Sequence, residues 1–146
     1  MLPNIKTMKK YKPFEILPHK SPMILVDDYQ YADATSIEAS LLIQKDAPFC
    51  VDGKIPSYIC LEYMAQTIAM WRGILGKKND EQPKIGYLVS CRKFELFQDY
   101  FSVGEQLKIF GSLKCMIDQM ASFDCKIEIN NHIVATSAIN VYQPEV

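Results

Sequence analysis

The stretch Ser57-Tyr58-Ile59-Cys60-Leu61-Glu62-Tyr63-Met64-Ala65-Gln66-Thr67-Ile68-Ala69-Met70-Trp71-Arg72-Gly73-Ile74-Leu75 decides how the rest of the chain is read. It carries the one long helical signal in the sequence. Ile59, Leu61, Tyr63, Met64, Ala65, Ile68, Ala69, Met70 and Trp71 cover nearly all sides of a helix wheel. A helix apolar all round is a buried helix. Ser57 follows Pro56 and suits an N-cap, while Gly73 and Gly76 are candidate stops. Glu62 does not fit a bland core helix. Gln66 stands one turn later on the same side. A carboxylate among apolar neighbours is costly unless it is paired, solvated or neutral. Desolvation also raises a carboxyl pKa, and that is how a Glu becomes a general acid near neutral pH. The plainer alternative is a Glu at a water-filled edge, or one bonded to a neighbouring backbone N–H.

Outward from the helix the signal changes to strands. Upstream, residues 23–31 read as a strand opened by Ser21-Pro22. Residues 35–44 read as a second strand, with Ile37, Ala39, Leu41 and Ile43 alternating on one face, and Asp33-Ala34 turns between the two. Residues 48–56 are punctuated by Pro48, Asp52-Gly53 and Pro56 and read as irregular. Residues 14–19 form a turn-like entry, and residues 1–12 a loose arm. Downstream, residues 76–83 are polar, end in Pro83 and suit a surface loop leaving the helix. Four strand signals follow. Residues 84–97 hold Ile85, Tyr87 and Val89. Residues 105–116 hold Leu107, Ile109, Gly111 and Leu113. Residues 120–129 hold Phe123, Cys125, Ile127 and Ile129. Residues 132–142 hold Ile133, Ala135, Ser137, Ile139 and Val141. Asn130-Asn131 is a hairpin turn between the last two. The order β-β-α-β-β-β-β predicts an α+β fold, with antiparallel strands around one apolar helix. The sheet's other face needs cover, which an oligomer supplies.

Composition narrows the function classes. A chain of 146 residues that is 49% hydrophobic and 23% charged has the size and make-up of one folded domain, residues 1–146. Sixteen basic against seventeen acidic residues give a net charge of -1, without the broad basic face that nucleic acid or an anionic membrane demands. No run of about 18 apolar residues is present, so no membrane span is expected. The start Met1-Leu2-Pro3-Asn4 lacks the order of a signal peptide, and a cytoplasmic location is expected. The five cysteines (Cys50, Cys60, Cys91, Cys115 and Cys125) include no Cys-x-x-Cys pair and read as buried free thiols. With His19 and His132 the only histidines, no metal site and no cofactor are expected. His19 reads as a loop-fixing residue bonded to backbone, and His132 as a surface residue beside the hairpin. Asp27-Asp28 reads as a solvated pair. Arg92 with Lys93, and Lys9, Lys10 and Lys12, read as solvated basic clusters.

The residues so assembled resemble a known family. Leu17-Pro18-His19-Lys20-Ser21-Pro22-Met23-Ile24-Leu25-Val26-Asp27 is similar to the opening of FabZ-type 3-hydroxyacyl-ACP dehydratases. Glu62-Tyr63-Met64-Ala65-Gln66 is similar to that family's Glu-x-Met-Ala-Gln helix signature. Residues 86–94 and Val103-Gly104-Glu105-Gln106-Leu107 resemble its later strand and turn. The match covers roughly residues 14–142. The nearer likeness is to the ApeP-like branch, associated with bacterial aryl polyene biosynthesis, through Ala47-Pro48-Phe49-Cys50-Val51-Asp52-Gly53-Lys54-Ile55-Pro56.

The resemblance implies a hotdog fold, a curved antiparallel sheet around the long helix. It also implies dimers joined edge to edge with active sites at the interface. In the family a His from one chain takes a proton beside the thioester carbonyl. The helix Glu of the other chain protonates the departing hydroxyl, and a backbone N–H near the helix start polarises the carbonyl. Here Pro48 stands where the family has that His, and Ser57 where it usually has Gly. Glu62 is therefore the expected catalytic residue, with Gln66 and Ser57 as substrate-positioning residues. Three functions follow. The chain is the Glu-bearing subunit of a composite 3-hydroxyacyl-ACP dehydratase, completed by the His of a partner hotdog chain. Alternatively it is a silent hotdog subunit that stabilises an active partner, or a thioesterase in which Glu62 acts with water and His19 lies too far along the chain to place. The expected partners are an acyl carrier protein with a phosphopantetheine-linked acyl chain and a second hotdog subunit or a second copy. Arg92, Lys93 and Lys54 are candidate contacts for the anionic carrier. Tyr63, Met64, Met70 and Trp71 are candidates either for an acyl tunnel or for core.

Overall fold

The helical stretch folds as a short 3-10 turn, Ser57–Ile59, that runs into α2, Cys60–Lys78. The computed structural model describes residues 10–78 and 86–144. Most of the expected N-terminal arm and of the polar link after the helix lies outside those residues. Ser57 is not an N-cap: Pro56 holds that position, and no side chain caps the turn. Gly73 and Gly76 do not stop the helix, which runs through both. At Gly73 the reason is close packing. A Cβ there would stand 2.0 Å from the carbonyl oxygen of Ile16, the last residue of α1, Pro13–Ile16. The missing side chain lets α1 rest on the helix backbone.

Strands β1 (Asp28–Ala32), β2 (Ser36–Leu42), β6 (Gln106–Ile117), β7 (Met120–Ile129), β8 (His132–Tyr142) and β4 (Tyr87–Leu96) form one antiparallel sheet in the order β1-β2-β6-β7-β8-β4. Helix α2 packs against β2, β6, β7 and β8. This is the α+β layout that the strand and helix signals predict. The alternating sets Ile37, Ala39, Leu41, Ile43 and Phe123, Cys125, Ile127, Ile129 are buried toward the helix. Trp71 meets Phe123 edge-on at 5.4 Å and donates its Nε1–H to the Asp33 carbonyl at 3.0 Å. Asp33 closes the β1–β2 turn by accepting from the backbone of Thr35 and Ser36. Asn130 and Asn131, at φ 51° and 64°, make the β7–β8 turn in the left-handed region that asparagine tolerates.

Four strand readings need correction. The first strand starts at Asp28, not Met23. Residues 48–56 are not wholly irregular, because β3 (Lys54–Pro56) pairs with β5 (Tyr100–Ser102) in a second small sheet. In β8, Ile133 is exposed and Val134 buried, because the β7–β8 register shifts between Ile127 and Glu128. In β4 the apolar residues face out: Tyr87 is 54% and Val89 55% exposed. The cysteines are free, but only Cys60 and Cys125 are buried and Cys115 is exposed. Among the described residues no helix is long and apolar enough to cross a membrane.

Candidate active site

Glu62 lies in the first turn of α2, and Gln66 follows at i+4. Gln66 is fully buried and uses both ends of its amide. Its Nε2 donates to Glu62 Oε1 at 3.1 Å and to the Met23 carbonyl at 2.7 Å. Its Oε1 accepts from the Leu25 backbone N–H at 2.9 Å. One side chain thus holds the carboxylate and clamps the segment before β1 onto the helix. A buried amide so satisfied is stable, while one stripped of partners costs its full desolvation.

The clamped segment carries His19. Its Nε2 lies 3.5 Å from Glu62 Oε1. Its Nδ1 is buried and has no hydrogen-bond partner. The expected loop-fixing bond to backbone is therefore absent. His19, too far along the chain to place from the sequence, stands beside Glu62. The Gln66 bonds fold residues 43 and 41 positions earlier back onto the helix, which sequence distance alone does not reveal. The side chain of Glu62 is 42% exposed. Within a single chain it sits at a wet edge rather than deep among apolar groups.

Beyond Glu62 and His19 runs a cavity of about 420 Å³. Its floor on α2 is Glu62, Ala65, Ala69 and Arg72, a single helix face whose two alanines leave room. Ile68, Trp71, Met116, Met120 and Phe123 give it apolar walls. Arg72, whose Nε donates to Gln143 Oε1 at 3.0 Å, and Asp118 stand at the other end. Of the four tunnel candidates only Trp71 lines this space. Tyr63, Met64 and Met70 are core.

The remaining site candidates lie elsewhere. Ser57 is buried, does not line the cavity, and donates its backbone N–H to the Asp99 carbonyl at 3.0 Å. Pro48 does not line the cavity either. Arg92 and Lys93 are exposed on β4, and the Lys54 ammonium lies 4.2 Å from the Tyr100 ring centroid. None of the three borders the cavity. Cys60, two residues before Glu62, is no nucleophile: burial first, and then the charge of Cys91, push its thiol up to about 12. The arrangement offers one carboxylate held by an amide, one imidazole beside it, and an apolar channel leading away. That set suits proton transfer at an acyl chain.

Comparison with known proteins gives the family and the fold. The sequence profile of the ApeP-like family, described as ApeP dehydratase, matches residues 11–146, and the chain belongs to that family. Its structure superposes with a TM-score of 0.89 on a chain of the dehydratase heterocomplex ApeI:P from Xenorhabdus doucetiae, at 26% identity over 94% of this chain and 93% of that one. Two further structures share the fold alone. An uncharacterized protein from Pyrococcus horikoshii has a TM-score of 0.68 and 11% identity over 95% and 97% of the two chains. A hypothetical thioesterase with coenzyme A from Streptococcus pneumoniae has a TM-score of 0.62 and 9% identity over 80% and 84%. No curated protein matches the chain by sequence. The fold is the hotdog fold.

Proposed function

We propose that this chain is the carboxylate-bearing subunit of a two-chain hotdog dehydratase. Its substrate is a 3-hydroxyacyl thioester on an acyl carrier protein, in fatty-acid-like or aryl polyene biosynthesis. The observation that carries the reading is the placement of Glu62: held by Gln66 and lining a cavity of about 420 Å³ with apolar walls. In the reaction a base removes the proton on the carbon next to the thioester carbonyl. That electron pair forms the C=C bond, the carbon–oxygen bond to the 3-hydroxyl breaks, and Glu62 gives its proton to the leaving hydroxide, so water departs. The base is an imidazole of the second hotdog subunit, because this chain has Pro48 at the family's histidine position. Among the described residues the outer edge of β4 is unpaired, and Tyr87 and Val89 on it and Phe97 just beyond it are exposed, which supports a second subunit there. The heterocomplex nature of the Xenorhabdus relative supports a partner that is not a second copy.

The silent-subunit reading predicts a complex indifferent to Glu62. The thioesterase reading draws only on fold likeness. The experiment assays the chain alone, its hotdog partner alone, and the two together on 3-hydroxyacyl carrier protein. Dehydration restored by mixing is expected. Full activity of the partner alone would overturn the composite site, and thioester hydrolysis without dehydration would favour the thioesterase.

A further inference from the structure

Glu62 has two carboxyl oxygens, and the structure treats them differently. Both neighbouring nitrogen groups, Gln66 Nε2 at 3.1 Å and His19 Nε2 at 3.5 Å, approach Oε1. An amide NH₂ can only donate. Oε1 is therefore an accepting oxygen whenever the Gln66 contact is made, and a proton on the neutral acid belongs on Oε2. The His19 ring has the same polarity. Its Nδ1 is buried without a partner, so a hydrogen placed there would be an orphaned buried donor. The tautomer that avoids this carries the hydrogen on Nε2, facing Oε1. The segment that bears the ring is also anchored at both ends. Ile16 is seated on Gly73 of the helix, and Met23 and Leu25 are bonded to Gln66, so the six residues between Ile16 and Met23 bridge two fixed points.

We propose that His19 is a positioning residue for Glu62: together with Gln66 it donates to Oε1, so that the acid proton is carried on Oε2 and delivered from there. This rests on the reading of Glu62 as the general acid. As Glu62 loses its proton to the leaving hydroxide, negative charge develops on the carboxylate. Donors already aimed at Oε1 stabilise that charge without reorganising. The 3.5 Å separation is about half an ångström beyond the usual hydrogen-bond distance, and such contacts tighten when substrate closes the site. The other ionisable groups lining the cavity, Arg72 and Asp118, stand at its far end and do not compete for Oε1.

The kinetic test uses the two-subunit complex with His19→Ala, His19→Gln and Glu62→Gln. The His19→Ala change is expected to lower kcat about 10²-fold with KM little changed, the scale of losing one donor to a developing charge. His19→Gln keeps an N–H donor at the Nε2 position and is expected to recover most of that loss. Wild-type kcat in His19→Ala, or an equal fall in both His19 variants, overturns the proposal. An unchanged rate in Glu62→Gln instead overturns the acid role itself. A second measurement needs no variant and no turnover. In a ¹⁵N NMR spectrum of the wild-type chain, the neutral His19 ring is expected to carry its hydrogen on Nε2, with exposed His132 as internal reference. A ring protonated on Nδ1 overturns the assignment.

Discussion

Gln66 is where local chemistry and local structure meet. Its amide spends one donor on Glu62, one on Met23 and its acceptor on Leu25. Gln66→Leu conserves much of the volume but strands the buried Leu25 N–H and the Met23 carbonyl. A loss of about 2–4 kcal/mol in unfolding free energy is expected by urea titration. Dehydration in the complex is expected to fall as well, because the segment bearing His19 loses its clamp; a Gln66→Leu chain of wild-type stability would contradict this account. Glu62 and Gln66 were legible from the sequence, since i, i+4 spacing puts two polar side chains side by side on any helix. The place of His19 was not. It depends on a hydrogen bond between residues 43 apart in the chain, and no periodicity encodes that. Ser57 was misread for the opposite reason. A Pro-Ser start looks like a cap, but here the chain enters through a 3-10 turn and the Ser57 N–H is spent on Asp99.

At the scale of elements, a long run apolar on nearly all helix faces located α2, and alternation located the long strands. Strands β2 and β7 bury their alternating sets as a period of two demands, whereas β4 turns Tyr87 and Val89 outward, and β7 runs over Met120–Ile129 as read. Glycine in a helix is where that logic failed. Gly73 reads as a terminator by propensity, yet it is a contact surface for α1. Gly73→Ala would raise intrinsic helix propensity by about 1 kcal/mol. The new methyl would meet the Ile16 carbonyl at 2.0 Å, and that clash outweighs the gain. A net destabilisation of about 1–3 kcal/mol is expected in chemical denaturation; a stabilised variant would show that α1 does not pack there. The three-residue strands β3 and β5 escaped because runs that short have no period to detect, and β3 also ends in Pro56.

At the scale of the molecule the sheet has two ends, β1 and β4. Strand β4 presents exposed Tyr87, Leu88 and Val89, with Phe97 just beyond its end. A long apolar edge left open invites pairing with another chain. The sheet's other face is expected to need cover from an oligomer, and the proposed assembly places its second subunit along the β4 edge. In the proposed assembly, Val89→Lys together with Phe97→Asp is expected to weaken association with the partner by more than tenfold in a pull-down or calorimetric titration. The isolated chain should remain folded, since both side chains are largely in solvent. Unchanged association would place the interface elsewhere. Arg92, Lys93 and Lys54 are candidate contacts for the proposed carrier protein, and charge reversal at Arg92 and Lys93 that left carrier affinity intact would remove them from that role. The most direct test of the central claim is the single-turnover rate of 3-hydroxyacyl carrier protein dehydration by the complex bearing Glu62→Gln. The account predicts a fall of about 10²–10⁴-fold, the usual worth of a general acid, with assembly unchanged. A Glu62→Gln complex that dehydrates at the wild-type rate would contradict it.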